Sequence, residues 1–114
     1  MNEFVVSNKP VGVKSGMTDV KLIKGGNGTS LQGYINARYE DIVKILGPQN
    51  GEGGGYKVGT EWCIQFKEPD GTRTVATIYD WKEEGLRCRR GSYEWHIGGF
   101  NKHAVKLVEQ LLAA

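Results

Sequence analysis

Residues 56–67 alternate in a way that constrains the fold more than any other part of the chain. Val58, Thr60, Trp62, Ile64 and Phe66 fall on one side, and Lys57, Glu61, Cys63, Gln65 and Lys67 on the other. Successive side chains of a β-strand point to opposite faces, so this pattern predicts a strand with one core face and one face left for solvent or a ligand. Glu68-Pro69-Asp70-Gly71-Thr72 follows as a turn, and residues 73–81 return antiparallel to the first strand. Two registers are open for that return strand. Ala76 and Ile78 suit the core, which sends Thr77, Tyr79 and Trp81 outward, but Val75, Tyr79 and Trp81 are also good core residues, and a one-residue shift exchanges the faces. A further strand is expected over residues 93–97, with Tyr93, Trp95 and Ile97 alternating against Glu94 and His96, and Gly98-Gly99 breaking it. The stretch 59–99 holds all three tryptophans, both cysteines, one of the two histidines and the densest run of arginines.

Upstream, residues 1–16 predict a short edge strand near Glu3–Ser7 followed by loop. Val20, Leu22 and Ile23 precede Gly25-Gly26-Asn27-Gly28, and Asn-Gly between apolar runs is a hairpin signal. A strand over 29–36 is therefore expected beside 19–24, with Leu31, Gly33 and Ile35 on one face and Gln32, Tyr34 and Asn36 on the other. From residue 39 the period changes. Tyr39, Ile42, Val43 and Leu46 follow helical spacing, Glu40 and Asp41 suit the first turn, and Gly47-Pro48 ends the helix. Gln49–Gly55 reads as a surface loop, lacking the Gly-Lys-Ser/Thr ending of a phosphate-binding P-loop. Asn101 is a good N-cap, and Ala104, Val105, Val108, Leu111 and Leu112 form the apolar stripe of a second helix. The expected class is α+β: an antiparallel sheet of about five strands with two helices packed on one face.

The 114 residues fit a single domain, with 1–28 as an N-terminal extension or hairpin and 29–114 as the α+β core. A net charge of +2 with 25% charged residues is an ordinary soluble surface, which argues against extended nucleic-acid binding. Positive charge is concentrated in residues 82–92, where Lys82, Arg87, Arg89 and Arg90 outnumber Glu83 and Glu84. Neither a signal peptide nor a membrane anchor is recognisable at the N-terminus, so a cytoplasmic location is expected. Cys63 and Cys88 lack a C-x-x-C spacing and read as thiols. His96 and His103 share no metal-binding spacing, and no metal or cofactor is expected.

The blocks Tyr39-Glu40-Asp41-Ile42 through Gly47-Pro48, Glu61-Trp62, Ala76-Thr77-Ile78-Tyr79-Asp80-Trp81-Lys82 and Trp95-His96-Ile97-Gly98-Gly99 resemble a family of short phage-encoded proteins of undefined activity. The resemblance covers residues 29–112, and its last two blocks are the most specific. It implies a small accessory protein acting in the cytoplasm of an infected bacterium, where such proteins often block host defence. It carries no catalytic assignment.

The residues themselves nominate a ligand-binding set of Tyr34, Tyr79, Trp81, Lys82, Arg87, Arg89, Arg90 and His96. Aromatic faces stack a base, and lysine or guanidinium groups meet a phosphate. The competing reading is that Trp62 and Trp95 fill the core and that the arginines only solubilise a loop. Three functions follow. The first is a non-enzymatic protein that binds and sequesters a nucleotide-type immune signal or similar phosphorylated ligand, with a homo-oligomer as a way to enclose it. The second is an inhibitor docking directly on a host defence nuclease or effector, as an anti-CRISPR protein does. The third is a small hydrolase with His96 as general base opposite Glu61 or Asp80, with His103 nearby from the last helix. Cys88 among arginines is a further nucleophile candidate.

Overall fold

The computed structural model describes residues 4–6, 9–11, 18–23, 28–49, 60–81 and 90–113. In chain order the elements are β1 (Phe4–Val6), β2 (Lys9–Val11), β3 (Thr18–Leu22), β4 (Ser30–Arg38), α1 (Tyr39–Leu46), β5 (Glu61–Lys67), β6 (Arg73–Tyr79), β7 (Ser92–Gly99) and α2 (His103–Ala113). The strands form one sheet in the order β2-β1-β3-β5-β6-β7-β4. Its central five strands, β3 to β4, are antiparallel throughout, and both helices pack on one face, so the class is α+β.

The β5–β6 hairpin forms as the alternation requires. Asp70 Oδ1 accepts the Thr72 N–H at 2.8 Å, and Gly71, at φ 91°, takes the left-handed conformation that closes the turn. This turn sets Lys67 opposite Arg73, and from there the register runs to Glu61 opposite Tyr79. Of the two registers open to β6, the one adopted buries Ala76 and Ile78 beside Ile64 and Trp62.

Trp62, Ile64, Phe66, Ala76, Ile78, Trp95 and Ile97 make the inner face of the sheet. Ile42 and Leu46 of α1, and Ala104, Leu107, Val108 and Leu111 of α2, cover them. Both buried indoles find acceptors, which removes the penalty of burying a polar N–H. Trp95 Nε1 donates to Ala37 O at 3.0 Å, and Trp62 Nε1 donates to Gly47 O at 2.9 Å. The two rings therefore hold opposite ends of α1, and they meet edge to face at 5.5 Å.

Several local expectations are overturned. β3 and β4 do not form a hairpin: β3 pairs with β5, and β4 closes the far side of the sheet against β7. Asn-Gly permits a tight turn without requiring one. Placing β3 on β5 buries Val20 completely opposite Phe66, worth about 1.5–3 kcal/mol. β1 is not an edge strand either. It lies between β2, which carries Pro10, and β3, to which it runs parallel. Proline lacks an N–H to donate and suits the outer position that β2 takes.

Gly98 and Gly99 continue β7 instead of breaking it. A Cβ on Gly99 would lie 2.6 Å from Ala104 Cβ, and one on Gly98 would lie 2.3 Å from Thr77 Oγ1. Both positions are glycine because neighbours occupy the space of a side chain. In β4 the register slips between Leu31 and Gly33, so Leu31 sits opposite Gly98 on the outer face while Gly33 faces Val105 of α2.

Candidate functional site

The helices cover one face of the sheet and leave the other uncovered by helix. On that outer face the pairings Glu61 with Tyr79, Tyr79 with His96, and His96 with Tyr34 set four side chains in one row across β5, β6, β7 and β4. The rings touch one another. His96 meets Tyr34 edge-on at 4.9 Å and Tyr79 at 5.4 Å, tilted by 34°. Trp81, just beyond β6, places its ring 6.3 Å from that of His96, and its backbone N–H points to the Tyr93 hydroxyl at 3.4 Å. Tyr34 is 50% exposed and Trp81 41%. These are large apolar surfaces that the core does not use.

The next row, Cys63, Thr77, Gly98 and Leu31, is mostly closed. Cys63 and Thr77 are buried although they face outward, and the Thr29 hydroxyl lies 3.6 Å from where a Gly98 Cβ would stand. Only Leu31, at the sheet edge, is exposed. The outer face thus steps from a buried row to a half-open aromatic one.

Charge is distributed unevenly along this face. Glu61 is half-buried, and its carboxyl is pushed up from the ordinary range by desolvation and, to a lesser degree, by Asp80, against a hydrogen bond from Cys63 that lowers it. Cys63 is pushed up to about 11 by burial, by the Glu61 charge and by donating its S–H to that carboxylate. Tyr79 is raised by burial first, then by Glu61 and Tyr34. The Glu61 backbone N–H donates to Gln49 Oε1 at 2.8 Å, which fixes the start of β5. On the β4 and β7 side Glu94, opposite Asn36, follows His96 on the same face, and beyond it lie Arg38, opposite Ser92 and ion-paired to Glu40, and the exposed Arg90.

Of the residues nominated from sequence, Tyr34, Tyr79, Trp81 and His96 come together in this cluster. Arg90 stands two residues before β7, while Lys82, Arg87 and Arg89, and Cys88 with them, lie outside the described residues. Two partners proposed for His96 are elsewhere. Asp80 is buried, its Oδ1 accepting the Thr60 N–H at 3.0 Å while its own N–H donates to Thr60 O, because the residue after β6 must satisfy the end of β5. His103 opens α2, with its ring 2.9 Å from Glu68 at the β5–β6 turn. Gln32 is also turned away, donating to Gly99 O and Ser30 Oγ at the bulge.

Glu61 is the member of the row that sequence reasoning named only as a foil to His96. Its signal was available. With Lys67 and Arg73 flanking the turn, counting back along both strands sets Glu61 beside Tyr79. Among the described residues no group of three His, Cys, Asp or Glu side chains could hold a metal ion, and no helix is long and apolar enough to cross a membrane. Comparison of the chain with protein-family models, with curated proteins and with solved structures returns no match.

Proposed function

We propose that this protein binds a nucleotide-type or similarly phosphorylated small molecule on the outer face of its sheet and sequesters it without turnover. The observation that carries this reading is the contiguous cluster of Tyr34, His96, Tyr79 and Trp81, partly exposed on the outer face of the sheet. Stacking a base on an aromatic ring is worth about 1–3 kcal/mol per base and tolerates any base identity. Two or three such contacts suffice for a micromolar ligand once guanidinium groups meet its phosphates. Arg38, beyond Glu94 on the β4 and β7 side, and the exposed Arg90 are cations of this region, and in sequence Lys82, Arg87 and Arg89 fall between Trp81 and Arg90. The resemblance of the residue blocks to short phage proteins supplies the setting: a counter-defence accessory protein that removes a host immune signal in the cytoplasm of the infected cell.

Isothermal titration of ~100 μM protein against a panel of cyclic nucleotides and ADP-ribose derivatives tests the reading. A saturable heat that is lost in Trp81→Ala and Tyr34→Ala, with the ligand recovered chemically intact, is the expected result. Absence of heat with every member of the panel refutes it. Ligand recovered as a cleavage product, with cleavage lost in His96→Ala, replaces it with a hydrolase.

The reading of a protein inhibitor draws on Leu31, 45% exposed on the same edge strand as Tyr34. It predicts a stable complex with a host defence protein, abolished by Tyr79→Ala or Arg89→Ala, and an unchanged nucleotide pool.

A further inference from the structure

The row of side chains on the outer face is polar in direction, and that polarity bears on which ligand fits. At the β5 end stands Glu61, with the buried Asp80 close enough to raise its carboxyl further. At the other end Glu94, opposite Asn36, lies exposed on the same face between His96 and the Arg38–Ser92 pair, and Arg38 is ion-paired to Glu40. A phosphate placed at the Glu61 end would meet a half-desolvated negative charge, less screened by water than that of the exposed Glu94, so the phosphates of a bound ligand lie away from Glu61. The end of the ligand that reaches Glu61 is then its base.

Glu61 is held in place for such a contact. Its backbone N–H is tied to Gln49, and its carboxylate accepts the Cys63 thiol hydrogen. An ionised carboxylate has about four lone-pair sites and no proton to donate, so acceptor capacity remains, and only a donor edge can use it. Among the common bases guanine presents two parallel donors on one edge, the ring N1–H and the exocyclic N2 amine. Adenine offers a donor beside an acceptor, and its N1 lone pair would face the carboxylate charge.

We propose that Glu61 is the specificity-determining residue of this face, reading the N1–H and N2–H donors of a guanine base stacked among Tyr79, His96 and Trp81. The inference rests on the nucleotide-binding reading above. It is tested by titrating GMP, IMP and AMP at millimolar concentration into the wild-type protein and into Glu61→Gln, with the fold of the variant checked by its thermal transition. Each well-made bidentate contact discriminates by about tenfold or more, so wild-type protein binds GMP at least tenfold tighter than AMP, with IMP between them. Glu61→Gln loses about that factor for GMP and changes AMP by less than twofold. Equal affinity of the wild-type protein for GMP and AMP overturns the role of Glu61 while leaving nucleotide binding standing. So does a Glu61→Gln variant that weakens both ligands alike. Failure of all three nucleotides to bind overturns the nucleotide reading itself, and the guanine assignment with it.

Discussion

Three tryptophans lie within 34 residues of one another, and the structure gives them two unlike jobs that substitution by phenylalanine separates. Trp62 is fully buried, and its indole N–H donates to Gly47 O at 2.9 Å, where the carbonyl ends α1. Trp62→Phe deletes the donor and leaves that carbonyl without it, which costs about 1–3 kcal/mol. The smaller ring also loosens the edge-to-face contact with Trp95 at 5.5 Å and the tilted contact with Tyr39 at 5.6 Å, a class of interaction worth about 0.5–1.5 kcal/mol per pair. Taken together the loss is about 2–4 kcal/mol, a large part of the 5–15 kcal/mol that holds a typical domain. Trp81→Phe, by contrast, alters a 41% exposed ring whose backbone, not its indole, donates to Tyr93, so stability should change by less than about 0.5 kcal/mol. Equilibrium urea unfolding of the wild type and both variants measures this, with the m-value showing whether the unfolded states are comparable. Equal losses for the two variants, or a Trp62→Phe loss below about 0.5 kcal/mol, would refute the division into a core indole and a surface indole.

Three other outcomes follow from the structure. Gly98→Ala should destabilise by about 1–3 kcal/mol and displace Tyr79, because the new methyl meets Thr77 Oγ1 at 2.3 Å and the Tyr79 ring at 3.4 Å; thermal unfolding and ligand titration read the two effects. Cys63, with its pKa at about 11, leaves about one thiol in a thousand ionised at pH 8, so its peptide should remain unalkylated by iodoacetamide in folded protein and react once guanidinium is added. Prompt labelling of that peptide in native protein would contradict the burial. Glu61 holds its proton to higher pH in the folded state than in the unfolded chain, so the folded state binds more protons in that window and stability falls as pH rises through it. Glu61→Gln should therefore gain stability relative to wild type from below pH 4.5 up to neutrality, and a flat or declining difference across denaturation curves would contradict the raised pKa.

The parts of the fold legible in sequence are those where local pattern and global burial agree. The alternation of residues 61–67, the Pro-Asp-Gly turn and the helical spacing of 39–46 and 104–112 each dictate one answer, and the chain adopts it. Where two physical demands compete, local reading fails. Asn27-Gly28 invites a hairpin, yet β3 pairs with β5, where Val20 lies fully buried opposite Phe66. Gly98-Gly99 looks like a strand end because glycine weakens strands, but here Ala104 and Thr77 press against the backbone from opposite faces. The bulge at Gln32 moves Leu31 to the outer face, and no residue type announces it. The aromatic part of the site was readable from Tyr34, Tyr79, Trp81 and His96 individually. Their arrangement in one row with Glu61 depends on the pairing of β7 with both β6 and β4, which only the fold supplies.

The proposed function requires that the rings on the outer face form one recognition surface. Proton–nitrogen correlation spectra recorded during titration with a cyclic dinucleotide test it most directly, since three indole N–H signals report on three different places. The account predicts that the Trp81 signal and the amides of Tyr34, Tyr79 and His96 shift together, while the Trp62 and Trp95 signals, bonded to Gly47 O and Ala37 O, stay in place. Shifts confined to other strands, or movement of Trp62 and Trp95 with Trp81 unchanged, would contradict it.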